Sequence, residues 1–400
     1  MKVDRDILNN LCLNITDGEH GTIQNDNDGR YFLLSNKNII NGQIIISDAD
    51  RRINKESFSK INKRTKLENG DLVISTVGVL GKLAIIKAEN LNYDFQRSVG
   101  IVKCDEKKIN TKYLYYYLNT QFVQNRLNHL SKGAVQKCLF ISDLKNLEID
   151  FPDLPTQQKI ASVLSALDDK IELNNRINAE LEAMAKTLYD YWFVQFDFPN
   201  IEGKPYKTSG GKMVYNETLK REIPEGWEVK TVGNILDKNK ATNKINAKEY
   251  LNMGKIPVID QSTNFICGFT NDESSLITTK EKPAIVFGDH TRILKLINFD
   301  FARGADGTQI LFSKIENMPQ FLLYYSLLKI DLSNYGYARH FKFLKEQNLL
   351  IPKKEIAKEF NDLVKSYYVK IYNNLKQNQE LSALRDWLLP MLMNGQVKVG

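Results

Sequence analysis

Two short runs, Pro152-Asp153 and Asp168-Asp169-Lys170, contain the carboxylates and the lysine of a metal-dependent nuclease of the PD-(D/E)-x-K type. That chemistry requires two carboxylates and a lysine to converge on a metal ion from adjacent strands. The second run instead falls inside a segment with helical periodicity. In the internal repeat described below, the matching positions hold Pro352-Lys353 and Tyr368-Val369-Lys370, so the pattern is not kept. We therefore interpret these carboxylates as part of a solvated helix face.

Other catalytic patterns are incomplete. Gly78-Val79-Leu80-Gly81-Lys82 resembles part of a phosphate-binding loop, but Leu83 stands where that loop needs a hydroxyl for magnesium, so we interpret the run as a β-turn. The sequence has no Asn-Pro-Pro-Tyr-type motif for base methylation and no nucleophile elbow. Its four histidines are isolated, and its four cysteines form no C-x-x-C pair, which is typical of reduced thiols in a cytoplasmic protein. We expect no catalytic residue and no metal site in this chain.

Basic and polar side chains do cluster. Residues 51–66 hold seven Lys or Arg against one Glu; such a run is usually a solvated face, and phosphate contact is the functional alternative. The loop 288–292 offers donors and acceptors of the kind that read base edges. The candidate DNA-binding residues are Arg51, Arg52, Lys55, Lys63, Arg64, Arg97, Gln136, Lys137, Lys238, Lys240, Asp289, His290, Arg292, Arg339, His340 and Lys342.

The composition of the 400 residues, 42% hydrophobic and 26% charged, indicates a globular protein. No apolar run approaches the ~18 residues of a transmembrane helix, and the charged start predicts no secretory signal. Lys and Arg outnumber Asp and Glu by 22 to 18 in residues 1–150 and by 22 to 17 in residues 201–353, whereas residues 151–200 carry 4 against 8. Two mildly basic segments joined by an acidic one suggest a polyanion bound at two places.

An internal repeat organises the chain. Residues 144–188 and 344–388 share 11 identities in 45 positions without a gap, where average residue usage would give about 3. The chain therefore reads as a tandem duplication in which each half is a globular unit followed by a long helix.

The long helices are predicted from periodicity. From Thr156 to Phe193 there is no Gly or Pro, and apolar residues recur every three or four positions. The second copy follows Pro352 and is expected to end near Pro390. At ~1.5 Å per residue each helix would be roughly 50 Å long. So narrow an apolar seam on so long a helix predicts a partner helix.

Each globular unit has short β-like runs broken by Gly and Asn turns, followed by a Tyr-rich helical stretch, 112–127 in the first and 319–328 in the second. We therefore expect an α/β (α+β) fold with two globular domains, two long antiparallel helices that form a coiled coil, and a pseudo-two-fold internal repeat. The expected boundaries are a first domain at 1–150, a central helix at 151–196, a Gly-, Lys- and Pro-rich linker at 197–226, a second domain at 227–352 and a C-terminal helix at 353–400.

Four motifs resemble the specificity subunits of type I restriction–modification systems. The run from Phe151-Pro152-Asp153-Leu154-Pro155 to Lys170-Ile171, continued by 180–194, is similar to the central region of that family. Ile223-Pro224-Glu225-Gly226-Trp227 resembles its entry into the second target-recognition domain, and Leu388-Leu389-Pro390 through Asn394-Gly395 its C-terminal end. The family layout covers the whole chain.

The resemblance implies a non-catalytic subunit with two target-recognition domains, each reading one half of a split sequence in double-stranded DNA. The helices would hold the domains apart and dock two modification subunits, which would bind S-adenosylmethionine and methylate adenine. Restriction subunits would add translocation and cleavage that depend on ATP and Mg, and the sequence leaves open whether they join. No cofactor is expected on this chain itself. Recognition domains diverge with their targets, so the DNA-contacting residues do not follow from the resemblance.

Four asparagines interrupt the apolar seams, Asn174 and Asn178 in the first helix and Asn374 and Asn378 in the second. An antiparallel pair centred at positions 176 and 376 would place Asn178 level with Asn374, and Asn174 level with Asn378. A paired buried Asn is an attested device for fixing helix register. We therefore expect these residues to set the distance between the half-sites, with contact to solvent or to the modification subunits as the alternative.

Two other functions stay open at this point. One is the specificity subunit of a related methyltransferase–nuclease system, which would be built alike with different partners. The other is a coiled-coil scaffold with no DNA role, against which the tandem domains and their basic loops argue. An autonomous enzyme is disfavoured by the missing motifs.

Overall fold

The computed structural model describes residues 3–88, 91–131, 137–237, 243–279, 282–336 and 339–399. The chain divides into two compact units. Unit 1 comprises Met1–Glu172 and Asn378–Gly400, and unit 2 comprises Leu173–Gln377. Each unit therefore contains one globular part, part of the central helix and part of the C-terminal helix.

Unit 1 is built from short strands and helices in alternation. Its strands are β1 (Asp4–Ile7), β2 (Cys12–Asp17), β3 (Tyr31–Leu34), β4 (Ile39–Ile40), β5 (Gln43–Ile44), β6 (Arg52–Ile53), β7 (Leu72–Ser75), β8 (Leu83–Ile85), β9 (Tyr93–Phe95), β10 (Val99–Cys104) and β11 (Glu148–Phe151). Its helices are α1 (Lys55–Thr65), α2 (Thr111–Asn119), α3 (Gln121–Leu130), α4 (Ile141–Lys145) and the first part of α5 (Leu154–Tyr189).

Unit 2 is built from the same kinds of element. Its strands are β12 (Met213–Asn216), β13 (Arg221–Pro224), β14 (Glu228–Thr231), β15 (Ile256–Ile259), β16 (Gly268–Thr270), β17 (Leu276–Ile277), β18 (Ala284–Gly288), β19 (Leu294–Ile297), β20 (Phe301–Arg303), β21 (Thr308–Leu311) and β22 (Asn348–Ile351). Its helices are α6 (Val232–Ile235), α7 (Gln320–Leu328), α8 (His340–Glu346) and most of α9 (Lys354–Met393).

The two units share a sheet topology. In unit 1, β7 lies between β10 and β8, all antiparallel, and β3 pairs in parallel with β9. In unit 2, β18 lies between β21 and β19, and β15 pairs in parallel with β20. The central strands β7 and β18 are buried at every residue, as expected of strands covered on both faces. The mixed α and β character and the repeated domain predicted from the sequence are confirmed.

The long helices supply apolar seams to both cores. In unit 1, Ile160 and Leu164 of α5 join the same cluster of buried side chains as Leu392 of α9. In unit 2, Ala185 of α5 joins one with Phe360 and Val364 of α9. Within each unit the apolar seam predicted from the sequence is therefore the buried face of the helix.

Two helices differ from the sequence-based expectation. Helix α9 continues through Pro390 to Met393, because Pro390 is exposed in the last turn, where few backbone bonds are lost, and Leu392 anchors that turn. The stretch 112–127 forms two helices, because Thr120 ends α2 and its side chain caps α3.

The segment 197–226, expected as a linker, is folded. It contains the antiparallel hairpin of β12 and β13. Phe198 stacks on Tyr206 with ring centroids 4.6 Å apart and on Trp227 at 5.1 Å. The Gly- and Pro-rich composition marks turns here, whereas the interspersed aromatic residues anchor the segment in the core of unit 2.

Candidate nucleic-acid interface

The basic segment 51–66 supplies exposed lysines from helix α1. Asn54 caps the helix by accepting a hydrogen bond from Ser57 N at 2.9 Å. Lys55 and Lys63 lie exposed on this helix, and Ile61 packs inward. Their ammonium groups are therefore available to phosphates.

The arginines of the same segment are engaged within the protein. Arg51 donates to Asn25 Oδ1 at 2.6 Å and to the backbone oxygen of Ile23. Arg52 lies over the Phe32 ring and pairs with Asp48 at 3.1 Å, and Arg64 donates to the backbone oxygen of Gly18. These three guanidinium groups therefore contact neighbouring loops, and Arg64 stays exposed beside the lysines of the cluster.

Three segments of unit 1 meet where the parallel strands β3 and β9 end, and the first of them is the segment after β3 that contains Asn36. The β7–β8 turn (residues 76–82) follows β7, and the β9–β10 turn (residues 96–98) follows β9. Asn36 Nδ2 donates to the backbone oxygen of Val77 at 2.5 Å, and Asn36 N donates to Ser98 Oγ at 3.3 Å. Arg97 is exposed in the second of these turns, and the exposed Lys137 accepts from Gly78 N through its backbone oxygen at 3.0 Å. The structure thus brings Arg97 and Lys137 to adjoining segments.

Asp289 fastens the start of helix α8 to the turn between β18 and β19 (residues 289–293). Its carboxylate accepts from Phe341 N at 2.7 Å, and its backbone oxygen accepts from His340 N at 2.9 Å. The His340 ring lies against the same oxygen, with Nδ1 at 2.9 Å, and is buried. Asp289 and His340, predicted to contact DNA, are therefore brought together as buried scaffold residues.

Gln261 joins three loops of unit 2. Its Oε1 accepts from His290 N at 3.0 Å, and its Nε2 donates to the Asp306 backbone oxygen at 2.9 Å. Thr291 Oγ1 donates to the Gln261 backbone oxygen at 2.7 Å. Gly307, at φ +82°, has no room for a Cβ, which would lie 2.6 Å from Gln261 Nε2 and 2.8 Å from the His290 ring. This packing leaves the His290 imidazole exposed at the turn.

The polar cluster beneath these loops keeps a carboxylate ionised. Burial alone would raise the pKa of Asp260, but hydrogen bonds from Cys267 Sγ (2.7 Å) and Ser262 N (2.8 Å) bring that pKa below its usual range. Lys295 Nζ donates to the Asp260 backbone oxygen at 2.8 Å. The negative charge therefore lies half-buried, next to Gln261.

The remaining predicted DNA-binding residues are dispersed. Arg339 and Lys342 are exposed at the start of α8, and Arg292 is exposed as well while donating to the Leu332 backbone oxygen at 3.2 Å. Gln136, Lys238 and Lys240 lie outside the described residues.

The asparagines of the seams form an amide layer in unit 2. Asn374 Nδ2 donates to Asn178 Oδ1 at 2.8 Å, and both side chains are buried. Asn174, also buried, donates to Gln377 Oε1 at 2.8 Å. The predicted facing pair Asn178 and Asn374 is thus in contact, and the helices run antiparallel at this point.

The carboxylate of the incomplete nuclease pattern has a packing role. Asp168 accepts from Tyr116 Oη at 2.6 Å and pairs with Arg385 at 2.7 Å. Burial and this hydrogen bond raise the pKa of Tyr116. Asp168 therefore lies in a half-buried network of unit 1, not on the solvated face expected from the sequence. Among the described residues, no group of His, Cys, Asp or Glu is arranged to hold a metal ion.

The sequence did not identify Asn36 and Gln261, the two residues that join the loops. Each stands two positions after a buried strand of the parallel pair, Leu34 in one unit and Ile259 in the other. An apolar strand followed by two polar residues is the only local signal, and it is common in loops. Their role follows from contacts distant in sequence.

Two copies of one α and β domain, each with a loop cluster at the ends of its parallel strands, define a tandem-domain protein. The sequence profile described as the type I restriction modification DNA specificity domain matches residues 19–183 and again 224–383. The chain belongs to this family.

Two specificity subunits match this chain over most of their length. The type I restriction enzyme MjaIX specificity subunit of Methanocaldococcus jannaschii is 30% identical over 383 residues, covering 89% of this chain and 84% of the relative. The HindI specificity subunit of Haemophilus influenzae is 26% identical over 406 residues, covering 83% and 87%. The crystal structure of a type I S subunit from M. genitalium matches with a TM-score of 0.60 at 18% identity over 98% of this chain and 96% of that one, a likeness of fold. In the described part of this chain, no helix is long and apolar enough to cross a bilayer.

Proposed function

We propose that this chain is the DNA-sequence specificity subunit of a type I restriction–modification complex, and that each globular domain reads one half of a bipartite target. The observation that carries the proposal is the duplicated domain, since both copies match the specificity-domain profile and both expose turns at the ends of equivalent strands. The exposed lysines of α1 would contact phosphates, which fixes position without sequence information. The exposed turns would face base edges.

The proposed domains are residues 1–150 and 227–352, with the helical segments 151–196 and 353–400 as the docking region for two modification subunits. Those subunits would bind S-adenosylmethionine and methylate adenine. Restriction subunits, where present, would use ATP and Mg. This chain would contribute no catalytic residue.

The amide pair Asn178–Asn374 supports a role in helix register. A buried amide destabilises the folded state unless it is hydrogen-bonded. A shifted helix register would separate Asn178 from Asn374 and break their hydrogen bond. A slip of one heptad moves a helix by ~10 Å, the length of about three base pairs. In the proposed complex these residues, with Asn174 and Asn378, would restrict the spacing between the half-sites.

Reconstitution tests the proposal. The purified chain is expected to show no methyltransferase, nuclease or ATPase activity, and to direct methylation of adenine at a bipartite sequence when its modification subunit and S-adenosylmethionine are added. The modification subunit alone serves as the control. Methylation of DNA by the purified chain alone, or unchanged methylation when the chain is omitted, would contradict it.

A further inference from the structure

The two units hold their exposed turns with an amide side chain at the same place in the fold. Asn36 stands two residues after β3, and Gln261 stands two residues after β15. Strands β3 and β15 are equivalent. β3 pairs in parallel with β9, which leads into the β9–β10 turn, and β15 pairs in parallel with β20, which leads into the β20–β21 turn. We call Asn36 and Gln261 the bridging amides.

The partners of the bridging amides are equivalent as well. Asn36 bonds to Val77, which is the second residue after β7, and Gln261 bonds to His290, which is the second residue after β18. Each residue also contacts the other turn of its unit, Asn36 through its backbone N–H to Ser98 Oγ and Gln261 through its side-chain Nε2 to the Asp306 backbone oxygen in the β20–β21 turn (residues 304–307). A contact kept in both halves, made by different residues with different atoms, is a property of the duplicated fold.

The two bridging amides use different hydrogen-bonding atoms, so a carboxylate should affect them differently. Asn36 acts through its Nδ2 donor on a backbone carbonyl, whereas Gln261 uses its Oε1 acceptor for the His290 N–H and its Nε2 donor for the Asp306 carbonyl. A carboxylate at position 36 would therefore place oxygen against oxygen. A carboxylate at position 261 would also place an oxygen against the Asp306 carbonyl, but it would keep the acceptor for the His290 N–H.

We propose that Asn36 and Gln261 are positioning residues for DNA sequence recognition, each fixing through its side chain the exposed turn that follows β7 or β18 in its own unit. The inference rests on the proposed function. In unit 2 the turn so fixed presents the exposed imidazole of His290, and in unit 1 it adjoins the exposed Lys137, whose backbone oxygen accepts from Gly78 N. Base edges are read by hydrogen bonds of defined geometry, so a turn that is free to shift loses discrimination before it loses its attraction to phosphates.

The test uses the full chain in a host with its modification subunit, and maps methylated adenines across the genome. Asn36→Leu and Gln261→Met remove the amides at nearly constant volume, and each variant is the matched control for the other. We expect each substitution to raise methylation at sites with one wrong base by about tenfold, only in the half-site read by its own domain. His290→Ala should relax the same half-site as Gln261→Met.

The carboxylate variants separate positioning from general folding. Gln261→Glu should retain more discrimination than Gln261→Met, whereas Asn36→Asp should be at least as relaxed as Asn36→Leu. Relaxation of both half-sites by one variant, or less methylation everywhere with unchanged sequence preference, would overturn the positioning role. A wild-type chain that directs no methylated motif would instead contradict the proposed function itself.

Discussion

At the scale of single residues, the positive charges of segment 51–66 have two distinct roles. The lysines of α1 extend into solvent, whereas Arg51 and Arg64 donate to backbone carbonyls of neighbouring loops. A count of charges could locate the cluster but not divide it, because the division depends on carbonyls of residues 18 and 23, far away in sequence. The bridging amides escaped prediction for the same reason.

Substituting Lys55, Lys60 and Lys63 with Ala should weaken binding to all DNA sequences and flatten its salt dependence. The slope of log K against log salt is negative, and it becomes less negative by about 0.9 for every phosphate that the protein no longer neutralises. The measurement is a DNA-binding isotherm of the full complex at several salt concentrations, with target and unrelated DNA. Lys207→Ala, an exposed lysine of the segment 197–226, outside both proposed domains and the proposed docking helices, is the control. An unchanged slope would favour the solvated-face interpretation.

A buried carboxyl in unit 1 should make stability depend on pH. Burial raises the pKa of Asp94, although it accepts hydrogen bonds from Thr65 Oγ1 at 2.6 Å and Phe95 N at 2.8 Å. The folded state therefore holds this proton more tightly than the unfolded chain, and stability falls as pH rises from about 4. Asp94→Asn should escape that loss, so its advantage in thermal unfolding should grow with pH. A constant difference would contradict this.

At the scale of elements, periodicity predicted more than composition did. The recurrence of apolar residues placed α5 and α9 to within a few residues, and each globular unit contains the short strands expected from its β-like runs. The Gly- and Pro-rich segment 197–226 was expected as a linker because composition does not reveal the stacking of Phe198 on Trp227. Pro390 did not end α9, since the packing of Leu392 outweighs one missing backbone bond.

The amide pair of the two helices should behave as a coupled unit. Asn178→Leu alone leaves the buried Asn374 amide without its acceptor, at a cost of about 1–3 kcal/mol. The double variant with Asn374→Leu removes both polar groups and should unfold at a higher temperature than the wild type. The measurement is a double-mutant cycle of thermal unfolding. Additive effects would show that the pair is not coupled.

The register role of the seam asparagines can be tested separately through the spacer length of the methylated targets. If the amides restrict the helices to one alignment, leucine at all four seam positions (Asn174, Asn178, Asn374 and Asn378) should raise thermal stability and let the complex methylate targets with altered spacer lengths. An equally strict spacer preference in that variant would contradict the register role.

At the scale of the whole molecule, duplication is what sequence could establish most firmly. Eleven identities at a constant offset of 200 residues predicted two copies before any contact was known. The copies then diverged at the exposed turns, where Val77 stands at the second position after β7 in one copy and His290 at the second position after β18 in the other. A shared scaffold and divergent turns are what two domains of one ancestry require if they read different sequences. Residues that read bases are therefore the least predictable from a repeat.

Exchanging one domain should change one half of the target. Residues 1–150 end before α5, so their replacement by the matching part of another specificity subunit leaves both long helices intact. The hybrid is expected to methylate a sequence with a new first half, the original second half and the original spacing, because the seam residues are unchanged. Genome-wide mapping of methylated adenine measures all three features, and the reciprocal exchange of residues 227–352 is the control. A hybrid that altered both halves, or neither, would show that the half-sites are not assigned one to each domain.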